Sequence, residues 1–189
     1  MFVEEYCLKV AENFERLKGL STAIHEAAEA ICKALRDGQK VMLCGNGGSA
    51  ADAQHIAAEL MGRFLADRSP LPAVALTTDT SALTAIGNDY AFDEIFARQV
   101  RGLGRADDVL VGISTSGNSR NVIRALEVAR ELGMLTIGLT GENGGDMRAL
   151  CDLAICVPSS QTNHVQEMHI AVGHMICAIV ENELCSGRS

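Results

Sequence analysis

Short, uninterrupted runs of aliphatic residues alternate with longer amphipathic segments along most of this chain. The runs predict five strands, at 40–44, 73–77, 108–113, 135–140 and 153–157. The segments between and after them predict helices, near 49–65, 91–102, 119–132 and 162–184. Strands that lack polar alternation are buried on both faces, and this strand–helix rhythm is typical of a parallel sheet with right-handed crossovers. The predicted fold class is therefore α/β: a five-stranded parallel sheet, doubly wound and flavodoxin-like, flanked by helices.

Two further helices are predicted before the first strand, at about 2–18 and 21–36. Their apolar residues recur in alternating steps of four and three, as in an amphipathic helix with a narrow apolar stripe. In the first helix this stripe consists of Val3, Cys7, Val10, Phe14 and Leu17. The second helix is expected to end at Asp37-Gly38, with the glycine as its C-cap. A stripe with this spacing usually packs against a partner helix, and packing on the chain's own sheet or last helix is the alternative.

The length and charge of the chain exclude several functional classes. With 189 residues, one domain over 1–189 is expected, with its N-terminal helices at about 2–36. The net charge of −8 disfavours nucleic acid and anionic membranes as partners, and no segment approaches the roughly 20 apolar residues of a bilayer span. The seven cysteines include no C-x-x-C pair, which favours reduced thiols. These features predict a soluble, cytoplasmic protein.

Four hydroxyl side chains occur in one eight-residue stretch, GISTSGNS, between the third strand and the helix after it. Ligands of open parallel sheets bind beyond the carboxyl ends of the strands, where this stretch lies. The N-terminus of a helix attracts anions, and hydroxyls add further donors. The donors here are Ser114, Thr115, Ser116 and Ser119. They suit a phosphate site, with an ordinary Ser/Thr-rich N-cap as the alternative, and the Gly-Lys-Ser/Thr ending of a nucleotide-hydrolysing loop is absent.

The loop after the first strand, CGNGGSA, is rich in glycine. Gly45, Gly47 and Ala50 match the dinucleotide fingerprint G-x-G-x-x-A loosely. That fingerprint also requires an acid about 20 residues further on, and the acid after the second strand, Asp79, comes too late. The loop is therefore interpreted as a place where backbone approaches a small ligand, since glycine has no side chain to obstruct it.

Two helices carry residues that could transfer protons or bind a metal. His55 and Glu59 are four residues apart, about 40° around a helix, and so share a face. An exposed i, i+4 pair is the commonest meaning of this spacing, but at a sheet's carboxyl edge the two could also act as metal ligands or as acid and base. The last helix holds Gln166, His169 and His174, and helical geometry alone does not choose between these two histidines.

Taken together, these segments resemble a known family. The stretches CGNGGSAADAQHIAAEL, GNDYAF, DVLVGISTSGNSRNVIRAL, LTGENGGDM and VQEMHIAVGH are similar to those of the sugar-isomerase (SIS) domain, and within it to the enzymes that isomerise sedoheptulose 7-phosphate. The resemblance extends over almost the whole chain, and the joint pattern is far more specific than any one motif. It implies a single SIS domain and a homotetramer with active sites between subunits.

The resemblance also implies an activity and a set of site residues. The activity is an aldose–ketose isomerisation that converts D-sedoheptulose 7-phosphate to D-glycero-D-manno-heptose 7-phosphate, the first step towards bacterial ADP- or GDP-heptose and lipopolysaccharide. The implied catalytic residues are Glu59 and His174, and the implied ligands of one zinc ion per subunit are His55, Glu59, Gln166 and His174. The implied substrate contacts are Asn46, Gly47, Gly48, Glu59, Asn88, Asp89, Ser114, Thr115, Ser116, Ser119 and Gln166.

The chemistry of this reaction agrees with those residue types. A carbonyl moves between C1 and C2 when a proton beside the carbonyl is removed and returned to the adjacent carbon, through a cis-enediolate. Glu59 suits the role of base and His174 that of the acid–base partner, each contributing about 10²–10⁴-fold. A divalent metal would stabilise the enediolate oxygens as a Lewis acid.

Two other functions are considered beside the isomerase. Parts of the chain also resemble SIS-domain adaptors that bind the replication initiator protein, and a non-catalytic sugar-phosphate sensor is the third interpretation. An adaptor needs surface rather than acid–base chemistry, so the presence of Glu59 and His174 favours the isomerase. A sensor usually carries a further DNA-binding or synthetase segment, for which 189 residues leave little room.

Overall fold

The computed structural model of the chain describes residues 2–185. Met1 and residues 186–189, the ends of the predicted domain, lie outside the described residues. Within the described range, five parallel strands form one sheet in the order β2-β1-β3-β4-β5. They are β1 (Val41–Gly45), β2 (Ala73–Ala75), β3 (Val109–Ser114), β4 (Leu135–Thr140) and β5 (Leu153–Cys156). The predicted fold class is confirmed, and the predicted strand ends agree with the observed ones to within two residues.

Helices surround this sheet. They are α1 (Phe2–Leu17), α2 (Ser21–Arg36), α3 (Gly48–Met61), α4 (Thr80–Asp89), α5 (Ala97–Leu103), α6 (Arg120–Glu131) and α7 (Thr162–Cys185). Over residues 2–185, no helix is both long enough and apolar enough to cross a membrane. α2 ends as predicted, because Gly38 has a φ of +80° and the N–H of Gln39 donates to the carbonyl of Ala34 at 2.9 Å, which is a glycine C-cap.

Two predicted helices need correction, and one observed helix has no predicted counterpart. α3 ends at Met61 rather than at 65, because the side chain of Arg68 binds the carbonyls of its last turn. α5 begins at Ala97 rather than at 91, because a separate 3₁₀ turn precedes it. α4 is not among the predicted helices, and Asp79 caps it by accepting a hydrogen bond of 2.9 Å from the N–H of Ala82.

The sheet is covered on both faces, and its strands contribute alternate residues to the two layers. Val41 and Leu43 of β1 pack with α2, α3 and α7, whereas Met42 and Cys44 pack on the opposite face with α5 and α6. Every residue of β1 and β3 is buried. This two-sided burial explains why these strands are continuous aliphatic runs in the sequence. Ligands of such a sheet bind in the loops beyond its carboxyl edge.

The predicted stripe of α1 packs on the rest of the molecule through its C-terminal half, while Tyr6, which lies outside the stripe, contacts Glu167 and His164 of α7. In the C-terminal half, Leu17 is buried and Phe14 packs against the core. At the other end of the predicted stripe, Cys7 is exposed and Val3 is 71% exposed. The stripe is therefore divided: one half packs within the chain, and the other half remains available to a partner.

Candidate active site

The loop after β1 holds its backbone close to the carboxyl edge of the sheet. The side-chain amide of Asn46 exchanges two hydrogen bonds of 2.8 Å with that of Asn121 on α6. Gly47 has a φ of +55°, a conformation that glycine adopts without strain. A Cβ on Gly45 would lie 2.7 Å from the carbonyl oxygen of Ser49, so the absence of a side chain lets α3 begin directly after the strand.

The loop after β3 holds the predicted hydroxyl donors. The hydroxyls of Ser114 and Ser119 are 2.8 Å apart, and the N–H of Asn118 donates to Ser116 Oγ at 3.1 Å. Ser119 immediately precedes α6, but its hydroxyl does not cap the helix because it contacts Ser114 instead. By helix geometry, the first N–H groups of α6 point towards this loop. N–H and O–H donors therefore converge in a way that suits an anion.

The loop after β4 supports residues 114–119, called here the hydroxyl loop, from one side. Gly117 has a φ of +68°, and a Cβ there would lie only 2.1 Å from the carbonyl oxygen of Gly144. The side-chain oxygen of Asn118 accepts a hydrogen bond of 2.9 Å from the N–H of Asp146. These contacts fix the shape of the hydroxyl loop within the protein itself, so a ligand does not need to order it.

A pocket of about 470 Å³ lies between these loops and the start of α7. It is lined by Asn46, Gly48, Ser49, Thr115, Thr162, Asn163 and Gln166. All of these residues are uncharged, so a phosphate bound here would depend on N–H and O–H donors of the wall. Thr162 and Asn163 are not among the predicted site residues, because their contribution depends on how α7 packs against the loops.

His55, Glu59 and His174 come together where α3 crosses α7. His55 Nε2 lies 3.3 Å from Glu59 Oε1 and 2.9 Å from His174 Nε2. One possible ligand atom from each of the three residues lies within 4.8 Å of the others. The helices approach closely because Gly173 has no side chain, and a Cβ there would lie 2.5 Å from Ile56 Cδ1. Residues 119 positions apart in the sequence thus form one cluster, called here the His–Glu cluster.

Gln166 connects the His–Glu cluster to the pocket. Its amide N–H donates to Asp52 Oδ1 at 2.8 Å, and Asp52 lies about one turn before His55 on α3. Burial raises the pKa of Asp52, while the hydrogen bond from Gln166 acts in the opposite direction. Its other carboxylate oxygen is buried and has no hydrogen-bond partner among the described residues. Asp52 is not among the predicted site residues, although its spacing of three residues from His55 places the two on the same side of a helix.

The His–Glu cluster has the right donor atoms for a divalent metal such as zinc. Imidazole nitrogens and carboxylate oxygens are common zinc ligands, and three protein ligands with one open position are typical of catalytic zinc sites. The hydrogen bond from Gln166 to Asp52 uses the amide nitrogen, which leaves the amide oxygen for another partner. The donor atoms of His55, Glu59 and His174 therefore fit the implied ion.

Three other candidate residues lie apart from this arrangement. His169 is fully buried, and burial lowers its pKa to about 4, so the ring is uncharged at neutral pH. Asn88 and Asp89 are exposed at the end of α4, where the amide of Asn88 donates to Asp89 Oδ1 at 2.8 Å. Neither residue belongs to the lining of the pocket in its own chain.

Comparison with known proteins defines the class. A family model described as the SIS domain matches residues 5–141, and the chain therefore belongs to that family. It is similar to the phosphoheptose isomerase of Rhodospirillum rubrum, with 60% identity over 184 residues, 97% of this chain and 98% of that protein.

Solved structures give the same result at the level of the fold. A phosphoheptose isomerase from Neisseria gonorrhoeae is similar with a TM-score of 0.91 and 48% identity, over 95% of this chain and 97% of that one. One from Francisella tularensis is similar with a TM-score of 0.92 and 40% identity, over 95% and 96% of the two chains. The family resemblance stated from the sequence is confirmed.

Proposed function

We propose that this protein acts as a phosphoheptose isomerase, converting D-sedoheptulose 7-phosphate to D-glycero-D-manno-heptose 7-phosphate. The observation that carries the proposal is the convergence of a carboxylate and two imidazoles near an uncharged pocket edged by hydroxyl donors. The names of its relatives, and their similarity over nearly the full length, support it. An adaptor or a sensor would not need this acid–base group.

The hydroxyl loop is the proposed phosphate site. Ser116 and Ser119 offer hydroxyls, and the start of α6 offers backbone N–H groups. A seven-carbon sugar held here by its phosphate would extend past Thr115 and Gly48 towards Gln166, since these three residues line one pocket. In this pose the other end of the sugar, with C1 and C2, approaches the His–Glu cluster.

Glu59 is the proposed base, and His174 the proposed acid–base partner. Glu59 would remove the C1 proton of the ketose and return it to C2, while His174 would carry a proton between O1 and O2. An imidazole can both donate and accept a proton near neutral pH, which suits the second role. The two side chains belong to different helices, so the α3–α7 crossing sets the distance between them.

The same residues would hold one zinc ion per subunit. His55, Glu59 and His174 supply the nitrogen and oxygen donors, with the Gln166 amide oxygen as a fourth. When bound there, the ion would supply Lewis-acid stabilisation of negative charge on the substrate oxygens. Asp52 would keep Gln166 oriented through the hydrogen bond to its amide nitrogen.

We further propose that the protein works as a cytoplasmic homotetramer that feeds heptose towards lipopolysaccharide. The exposed N-terminal half of the α1 stripe supports an assembly. Asn88 and Asp89, which lie outside the pocket of their own chain, would be available to the site of a neighbouring subunit. All seven cysteines are free thiols, which suits a reducing compartment.

One assay tests the proposed function. Purified protein is incubated with sedoheptulose 7-phosphate, and with sedoheptulose as a control that lacks the phosphate, and aldose formation is followed by NMR. We expect the aldose only from the phosphorylated sugar, a loss of turnover after chelation, and its recovery when Zn²⁺ is restored. Failure to form any aldose phosphate in the presence of Zn²⁺ would contradict the proposal.

A further inference from the structure

The irregular segment 62–69, between α3 and β2, is held by one buried carboxylate. The backbone N–H groups of Phe64, Leu65 and Ala66 donate to Glu181 on α7 at 3.1, 2.8 and 2.8 Å. Burial of Glu181 opposes its ionisation, but these three bonds and an arginine partner together lower the pKa of the carboxyl below its ordinary value. The segment therefore has a fixed path without being a helix or a strand.

Arg68 is the arginine partner, and it extends this anchor to α3. Its Nε donates to Glu181 Oε2 at 3.0 Å, and its terminal nitrogens donate to the carbonyls of Glu59 at 2.7 Å and Leu60 at 2.9 Å. Both charged side chains are almost fully buried, with 4% and 7% exposure. Glu181 lies two turns after His174 on the same face of α7. One ion pair thus joins the helix of Glu59 to the helix of His174.

The anchored segment places an aromatic ring on the His174 imidazole. The Phe64 ring stacks on it with the centroids 5.8 Å apart and an angle of 28° between the planes. His55 contacts the same imidazole edge-on, with 2.9 Å between the Nε2 atoms of His55 and His174. This offset stack restricts rotation of the imidazole without covering its nitrogen edge, so Nε2 of His174 is held facing His55.

We propose that Phe64, held by Glu181 and Arg68, is a positioning residue that fixes the orientation of the His174 imidazole. This inference rests on the proposed function, because it takes His174 as the acid–base partner. Phe64 acts through His174 and is not itself a proton donor or acceptor. A misplacement of about 1 Å at a reacting group costs on the order of 10²-fold in rate, so loss of the stack has a measurable effect on turnover.

Three variants separate stacking from simple packing. Phe64→Leu keeps an apolar side chain but removes the ring, and we expect kcat to fall by about 10–100-fold while KM changes by less than about threefold. Phe64→Tyr keeps the ring and should retain nearly full kcat. Leu65→Ala alters a neighbouring side chain that is 75% exposed, and it should leave both constants unchanged. Full kcat in Phe64→Leu, or an equal loss in Leu65→Ala, would overturn the inference.

A second measurement needs no turnover. His174→Asn removes one of the five histidine signals from an NMR spectrum and so assigns the His174 imidazole resonance. The ring current of Phe64 contributes to the chemical shift of that resonance, so we expect Phe64→Leu to move the resonance and Phe64→Tyr to keep it close to its position in the unaltered protein. An identical chemical shift in Phe64→Leu and the unaltered protein would overturn the inference. If the unaltered protein forms no aldose phosphate, the proposed function fails, while this resonance still tests the contact.

Discussion

His169 and His174 show how strongly a single residue depends on its surroundings. Both lie on α7, and their sequence spacing leaves either one able to face α3. The structure buries His169 completely, where its pKa falls to about 4, and brings His174 to His55 and Glu59. The packing of α7 against α3 determines which of the two histidines meets His55 and Glu59. Helical spacing within α7 does not show how α7 packs against α3.

The first prediction concerns the imidazole that transfers the proton. His174→Asn should lower kcat by at least ~10²-fold, because the side chain no longer carries a proton between oxygens. His25→Asn is the matched control, since His25 is an exposed histidine of α2. The rate of aldose formation is measured for both variants, with circular dichroism as a test of folding. A normal rate in His174→Asn would mean that another group is the acid–base partner.

The second prediction concerns the phosphate. Ser116→Ala combined with Ser119→Ala removes two hydroxyl donors, and a hydrogen bond to a charged group contributes about 1.5–3 kcal/mol. We therefore expect a large rise in KM for the phosphorylated sugar and weaker inhibition by inorganic phosphate, both measured by steady-state kinetics. If neither quantity changes, the phosphate binds elsewhere.

At the scale of elements, the sequence predicts the strands better than the helix ends. A strand buried on both faces leaves a clear aliphatic run, as in β3 and β4. α4 leaves a weak signal, since its segment TSALTAIGND is rich in residues of low helix propensity and its cap, Asp79, reads equally well as part of a turn.

The position at which α3 ends is not predictable from the local sequence, for a different reason. The apolar residues Phe64 and Leu65 continue a helical pattern, so the sequence predicts helix to 65. Their N–H groups instead bind Glu181, which is 116 residues away from Leu65. A long-range acceptor overrides local propensity here, and local reasoning does not include it.

The third prediction tests this anchor. Glu181→Gln leaves Arg68 buried without its charged partner, and breaking such a pair costs about 3–5 kcal/mol of unfolding free energy. The folded pKa of Glu181 lies below its ordinary value of 4.5, so its contribution is present above pH 4.5 and is lost as the pH falls through the folded pKa. The stability difference between the two proteins should therefore shrink in acid.

Urea unfolding at neutral pH and below pH 4.5 measures this difference. Glu183→Gln is the matched control, because Glu183 is an acid of the same helix whose ion pair with Arg36 is about half exposed on both sides. A surface pair contributes about 0–1 kcal/mol, so the control should change little. Equal stabilities for Glu181→Gln and the unaltered protein at neutral pH would show that the anchor is not needed.

At the scale of the whole molecule, α1 indicates how copies of the chain would assemble. Phe14 packs on its own core, so a change there would also disturb the monomer. Val3 and Cys7 are exposed, and charges placed on them should leave the fold intact. We predict a native mass near four chains by sedimentation equilibrium, and a smaller mass with lost turnover for Val3→Glu combined with Cys7→Glu.

Lys9→Glu serves as the control for that pair. It lies on the other side of α1 and alters the net charge by the same two units, so it isolates the effect of the stripe. We expect its mass and activity to match those of the unaltered protein. A mass of one chain with full activity in the unaltered protein would contradict an obligatory assembly.

In the proposed mechanism, Glu59 removes the C1 proton of the sugar and a cis-enediolate forms. The most direct test follows sedoheptulose 7-phosphate in deuterated water by NMR, with the unaltered protein and with Glu59→Gln, which keeps the size of the side chain but removes the base. We predict deuterium at C2 of part of the aldose formed by the unaltered protein, because the Glu59 carboxyl group exchanges the abstracted proton with the solvent before it protonates C2. We also predict product formation slower by at least ~10²-fold in Glu59→Gln. Aldose formed at the full rate by Glu59→Gln would show that another group removes the C1 proton.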